Sequence, residues 1–347
     1  MKLFQRLLVA PAALGLMAPV AVNADTFSST TTLSGEAVFA VGSYDADAAN
    51  ATNEELHMQY AYTLNLDSSF SGSDNLHVGI EAGNTAATDP FSVLDSAVIR
   101  AAGEEADLRV SSLYYSFPVG DIAITAGPIL EADDLIGVTT SSYSEGLVAS
   151  SLPFSSHDFV GAGVGASYAP DNGFSASASI LSIDAADSSR GISTDSSDDI
   201  ATLAVGFNSD SGFGGGIVYT SADGENTITA TGPAEQTTFG GGVYYTPEDM
   251  PLGVSVSFDS REVEATSVET TSFLVGVDYE VGPGTAHVAY QTTDVDGSDV
   301  LDQDTFEVGY SYNVNDNVTV TPAFFSQGTT TNDENDTGMV VETTFSF

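Results

Sequence analysis

The chain has 347 residues, of which 49 are acidic and six basic, for a formal net charge of −43, and it contains neither cysteine nor tryptophan. A surface of that sign repels nucleic-acid phosphates and anionic headgroups, which excludes nucleic acid as a partner and makes divalent cations the natural companions. Without cysteine there is no disulfide framework and no thiolate metal centre, so the fold itself must supply the stability.

The first residues read as a secretory leader. Lys2 and Arg6 form a positive start, Leu7 to Val20 an apolar run interrupted by Pro11, Gly15 and Pro19, and Val22-Asn23-Ala24 a small-residue cleavage site. Residues 1–24 are therefore expected to be signal peptide and 25–347 one β domain, since no Pro-rich or Ser-rich linker divides it. Beyond the leader the only cations are Arg100, Arg109, Arg190 and Arg261. No window there reaches the roughly 18 apolar residues of a membrane helix.

Helical periodicity is absent, and sixteen segments of about ten residues alternate in polarity instead. They are predicted at 30–41, 55–68, 73–84, 106–117, 121–129, 158–169, 173–184, 199–208, 212–221, 236–246, 252–261, 270–280, 284–293, 303–313, 317–327 and 338–347. The second has the strongest phase, with Leu56, Met58, Tyr60, Tyr62, Leu64 and Leu66 on one face and His57, Gln59, Ala61, Thr63 and Asn65 on the other. In the fourth, Leu113, Tyr115 and Phe117 are out of phase with Leu108, Val110 and Tyr114, which predicts a bulge. The last segment, Met339 to Phe347, alternates to the end and finishes on an aromatic ring. It is expected to pair with the first strand near Leu33 to Val41 and close a barrel, with Glu342 inside and Phe345 and Phe347 toward lipid. Phe347 is then an assembly signal as well as an interface anchor.

Connection lengths sort by side. Short turns rich in Gly, Pro, Asn and Asp fall at 69–72, 118–120, 170–172, 209–211, 247–251, 281–283 and 315–316. Longer polar loops fall between them at 42–54, 85–105, 130–157, 185–198, 222–235, 262–269, 294–302 and 328–337. An even strand number with this alternation describes an all-β, antiparallel transmembrane barrel of about sixteen strands, with short periplasmic turns and long extracellular loops. The charge phase agrees. Glu36, Glu81, Asp259, Asp278, Glu307, Glu342 and Arg261 all fall on the polar face, and a cation aimed at lipid near the midplane would cost about 2–4 kcal/mol. Sixteen strands enclose water rather than a side-chain core.

Three stretches resemble the cyanobacterial Som-type outer-membrane porins, which are grouped with carbohydrate-selective porins: Gly35 to Gly42, Leu113 to Pro128 and Phe159 to Pro170. The leader, Met1 to Leu16, is also similar to that of picocyanobacterial members. The resemblance implies a homotrimeric passive porin for ions and small solutes, including carbohydrate or iron species. It further implies outer-membrane lipid, lipopolysaccharide and the barrel assembly machinery as partners. Such porins usually carry an S-layer-homology domain before the barrel. Here Asp25 leads almost directly into the first strand, so peptidoglycan contact is not expected.

Loop 130–157 is the longest connection and mixes Glu131, Asp133, Asp134 and Glu145 with Leu135, Ile136, Leu147, Val148, Leu152 and Phe154. Folded into the barrel, it can pack its apolar groups on the wall and present its acids to the channel; the alternative is a surface loop or a trimer contact. Selectivity follows charge rings and bore. The expected selectivity set is Glu131, Asp133, Asp134 and Glu145 of the loop with Glu36, Glu81, Asp278 and Glu307 of the wall, facing Arg109 and Arg261, and the pore should prefer cations. Asp294, Asp296 and Asp299 form a weak candidate Ca²⁺ site, and no cofactor is expected beyond loosely bound Ca²⁺ or Mg²⁺ at acidic loops. Asn332 to Asp336 has the same character.

Catalytic groups are scarce. His57, His77, His157 and His287 lie on separate strands or a loop, and counting from the turn near Gly72 sets His77 opposite about Leu66, away from His57. Gly161-Ala-Gly-Val-Gly165 lacks the helix a phosphate loop needs. The expected function is a water-filled diffusion channel of the outer membrane and not an enzyme; the alternative functions are a plugged structural or adhesive barrel, or a secreted soluble β protein.

Overall fold

A computed structural model describes residues 30–45, 55–84, 108–143, 148–155, 159–224, 235–264, 266–297, 302–329 and 335–347. The leader, Glu145, His157 and Asp299 lie outside the described residues.

Sixteen strands form one closed antiparallel barrel in which each strand pairs with its sequence neighbours and the first pairs with the last. They are β1 (Thr31–Asp45), β2 (His57–Ser68), β3 (Asn75–Gly83), β4 (Arg109–Val119), β5 (Ile122–Glu131), β6 (Val160–Tyr168), β7 (Phe174–Ser182) and β8 (Asp199–Asn208). The second half comprises β9 (Phe213–Asp223), β10 (Gln236–Tyr245), β11 (Leu252–Val263), β12 (Val268–Val281), β13 (Gly284–Val295), β14 (Gln303–Asn315), β15 (Val318–Thr329) and β16 (Asn335–Ser346). Every predicted segment is present. The predicted loop 262–269 is shorter than expected, because β11 and β12 continue to Val263 and from Val268 and leave only a tight turn.

The outward face is apolar and banded. On β9, β10 and β14, Phe213, Tyr245 and Tyr312 sit toward the short-turn end, and Tyr219, Phe239 and Phe306 lie six residues away toward the long-loop end; all six are exposed. Six residues at about 3.3 Å each span roughly 20 Å along a strand, which suits the two aromatic girdles of a membrane barrel.

The seam joins Glu36 to Ser346, Ala40 to Glu342 and Asp45 to Thr337. Gly35 and Phe347 exchange backbone hydrogen bonds of 2.8 and 3.0 Å. This register lies about two residues along from the expected one, and a shift of two leaves every side chain on its face. Glu342 is buried inside, while the Phe347 ring stacks on Tyr62 at 6.2 Å and covers Gly35. A Cβ at Gly35 would meet that ring at 2.6 Å and the Thr63 carbonyl at 2.7 Å, and it is the backbone contact that calls for glycine here.

The predicted bulge in β4 is present. Gly79 pairs with Ser112 but Ile80 with Val110, so an extra residue switches the phase, and Tyr114 turns inward. His77 is opposite Asp67, one residue from the expected position. A second irregularity, between Gly127 and Leu130, brackets Pro128, which cannot donate to the ladder. It buries Leu130 and turns the chain after Glu131 into the lumen.

At the short-turn end, Asp74 organises the β2–β3 turn by accepting from Ser69 Oγ at 2.8 Å, Phe70 N at 3.0 Å and Ser71 N at 2.7 Å. Tyr115 donates its hydroxyl at 2.5 Å. That bond first, and the Ser71 amide second, hold the Asp74 carboxyl well below the usual carboxylate range.

Candidate functional site

The connection after β5 forms an inner layer against the wall. It begins with a 3-10 turn, Asp133–Leu135, and then runs without regular structure past one strand after another. The wall beneath its outward limb presents glycine on five strands. A Cβ at Gly165 of β6 would meet Leu135 at 3.0 Å, at Gly206 of β8 Val138 at 3.0 Å, and at Gly216 of β9 the Thr139 carbonyl at 3.1 Å. At Gly242 of β10 it would strike the Thr140 carbonyl, and at Gly276 of β12 the Tyr143 ring. These positions let a second backbone approach closely.

Between the glycines, side chains fix the loop. Ser177 donates to the Ile136 carbonyl, and Ser255 Oγ accepts Ser142 N at 2.9 Å. Ile136, Leu152, Ala204 and Val218 form one buried cluster, and Tyr143, Ala149, Leu274 and Ala289 another. A third, Ala40, Ala323, Phe325 and Val340, is covered by Val148. The loop thus extends from β5 around to β15, β16 and β1. Its return limb passes Gln291, whose Oε1 accepts Ser150 N at 2.7 Å, and Asp259, which accepts Phe154 N at 2.5 Å and Ser155 N at 2.9 Å.

The lumen face is therefore not uniformly polar. Under the loop it carries Leu181, Val218, Leu274, Phe325 and Val340, all 2% exposed or less. Each fully buried side chain of this size contributes about 1.5–3 kcal/mol, which explains why a long connection rests on the wall instead of extending into solvent.

The predicted site residues divide into three groups. Glu131, Asp133 and Asp134 converge, with one carboxylate oxygen from each within 4.8 Å of the others, and they are partly exposed. Burial pushes the Asp134 carboxyl up to about 6, opposed by His77 and reinforced by Glu81. Glu81 faces Arg109 across β3 and β4 at 3.6 Å; with Arg109 half exposed the pair is weak. His77 accompanies this sector, bonded to Asp67 at 2.9 Å and stacked on Tyr114 with centroids 4.7 Å apart. The acids of β2, β3 and the loop entrance thus share the sector β2–β5.

Apart from them, Glu36 lies at the β1–β16 seam, 3.5 Å from Ser346 Oγ, and Asp278 lies opposite His287 on β12 and β13. Arg261 places its guanidinium over the Phe154 ring at 4.7 Å. Glu307 departs from expectation. It is 1% exposed and roofed by the loop, so its carboxylate meets backbone amides in place of channel water. Among the described residues Asp294 and Asp296 belong to no cluster of three potential metal ligands; the cluster that does form is Glu131, Asp133 and Asp134. The anchoring roles of Asp259, Gln291 and Glu307 were not evident from the alternation, which shows only that they face inward.

The sequence family described as Gram-negative porin matches residues 10–337. The chain belongs to the Gram-negative porin family. Solved porins share the fold at low identity. The Pseudomonas putida OprB structure at high pH aligns with a TM-score of 0.69 and 9% identity over 92% of this chain and 94% of that one. Two mutant forms of the Rh. blastica porin align at TM-scores of 0.57 and 0.58. Both are 13% identical over 92% of this chain and all of theirs. No curated protein matches the sequence. This porin is an outer-membrane β-barrel of a non-catalytic transport class.

Proposed function

We propose that this porin is a passive, water-filled and cation-preferring channel for ions and small hydrophilic solutes. Its selectivity would be set mainly by Glu131, Asp133, Asp134 and Glu81, with Glu36, Asp278 and Glu145 adding to the field and Arg109 and Arg261 opposing it. The observation that carries this reading is the convergence of the three loop-entrance carboxylates beside Glu81. A ring or cluster of one sign at a narrow point selects the opposite ion. The test is the reversal potential across a planar bilayer under a KCl gradient. It should have the sign of cation preference and shrink as salt rises, since charges are screened over about 10 Å at 0.1 M. Because its packed surroundings hold the Asp134 carboxyl above the usual carboxylate range, the preference should be weaker at pH 5 than at pH 7.5, and Asp134→Asn should remove most of that pH step. Anion preference would refute the proposal, and silence in the bilayer would favour a plugged, structural barrel.

The resemblance of Gly35 to Gly42, Leu113 to Pro128 and Phe159 to Pro170 supports a finer placement among Som-type porins, and with it a trimer in contact with lipopolysaccharide. Phe347 would act as an assembly signal as well as closing the seam. Deleting it removes the Gly35 hydrogen-bond pair and the Tyr62 contact. The variant should be exported normally yet yield much less heat-modifiable, folded barrel in outer-membrane fractions; unchanged yield would refute the role.

A further inference from the structure

Glu307 is a wall carboxylate on β14, outside the acid cluster that forms where the loop leaves β5. Its Oε1 accepts the Tyr143 hydroxyl at 2.6 Å, and its Oε2 accepts Val148 N at 2.8 Å and Ala149 N at 2.9 Å. Ala149 is fully buried above Leu274 and Ala289, and Val148 covers the Phe325 cluster. One carboxylate therefore holds the loop at Tyr143 and again at Val148 and Ala149. Beside it, Gln291 accepts Ser150 N while its amide donates to Ser272 Oγ at 2.9 Å, which fixes the amide's orientation. Asp259 repeats the device on the return limb. It is wholly buried, with Oδ2 accepting two backbone amides and Oδ1 accepting Ser155 Oγ at 2.7 Å.

A buried carboxylate is stable only with such donors, and the loop's irregular backbone has amides that need acceptors. Each satisfies the other, and the bonds are of the stronger, charge-assisted kind. We propose that Glu307 and Asp259 are positioning residues that latch the lumen loop to the wall. They fix the bore and the placement of the acids at the loop's entrance without themselves facing the permeating ions. This rests on reading the loop as the pore's constriction.

The test exploits the absence of native cysteine. Ala149→Cys places a thiol under the latch, and its reaction with a charged, membrane-impermeant thiol reagent reports the position of the tip whether or not the channel conducts. In that background Glu307→Ala, which removes all three bonds, should raise the labelling rate by more than about tenfold, the effect of losing even one well-made bond to a charged group. Tyr143→Phe, which keeps the ring and drops one donor, should give a smaller rise and serves if Glu307→Ala folds poorly. Glu307→Gln should label like the parent, because the amide oxygen can accept both backbone amides and its nitrogen can donate to the Tyr143 oxygen. Its reversal potential should also match the parent's, unlike that of Asp134→Asn. If the introduced thiol stays protected in Glu307→Ala and Tyr143→Phe, the latch is wrong. If Glu307→Gln loses cation preference as Asp134→Asn does, Glu307 is a selectivity residue. A parent channel that never opens would defeat the porin reading while leaving the labelling result to judge the latch.

Discussion

Excision of residues 138–154, replaced by a four-residue Gly-Ser link, should raise single-channel conductance about twofold or more, because bore limits flux in a wide water-filled barrel. The link is short because the excised segment starts at Val138 beside Gly206 on β8 and ends just before Ser155, which lies beside Gly240 on β10. Two strand spacings of about 4.8 Å are within reach of four extended residues. Cation preference should survive the excision. The acid cluster Glu131, Asp133 and Asp134 precedes the cut, and Glu307 loses its Tyr143, Val148 and Ala149 partners and opens to water, while Asp259 gives up the Phe154 amide and keeps Ser155. The same cut uncovers Leu274, Val218 and Phe325, so the barrel should unfold at lower urea concentration. Unchanged conductance in a correctly folded variant would mean that the loop does not define the narrowest section.

The sixteen strands could be read from alternation because a barrel wall between lipid and water imposes period two on every strand. The β4 bulge could be read for the same reason, since Leu113, Tyr115 and Phe117 can share the outer face with Val110 only if one residue is extra. What alternation hid is the layer inside. Phe325, Val340, Leu274 and Val218 follow or separate outward apolar residues in the runs Phe324-Phe325, Met339-Val340-Val341, Phe273-Leu274-Val275 and Ile217-Val218-Tyr219. Such runs are unnecessary for a wet lumen. They mark where an apolar segment must land, and in this chain all four lie under the loop. The acids were legible as inward-facing but not by role, because a carboxylate that accepts backbone amides and one that faces water occupy the same phase. Only the loop's path separates Glu307 and Asp259 from Glu131, Asp133 and Asp134. That path is set by the irregularity at Pro128 and by glycines on strands far apart in sequence.

Those glycines make the second large prediction. A Cβ at Gly242 would strike the Thr140 carbonyl and lie 3.0 Å from Ser257 Cβ and the Val256 carbonyl. Two of these three neighbours are backbone, so no rotamer change relieves the contact, and overpacking of this kind costs about 1–3 kcal/mol. The barrel wall behind Gly242 is held by its ladder to β9 and β11, whereas the loop in front is held by fewer bonds. The loop is therefore the element that yields, and it can move only inward. Gly242→Val should lower conductance by about half and add millisecond flicker, with Gly242→Ala intermediate, as expected for a loop displaced into the bore on the timescale of local opening. Val243→Ala, one residue along on the lipid side, should behave like the parent, and this contrast separates loop displacement from general damage to β10. Equal conductance in Gly242→Val and the parent would show that the close approach at Gly242 does not hold the loop's position.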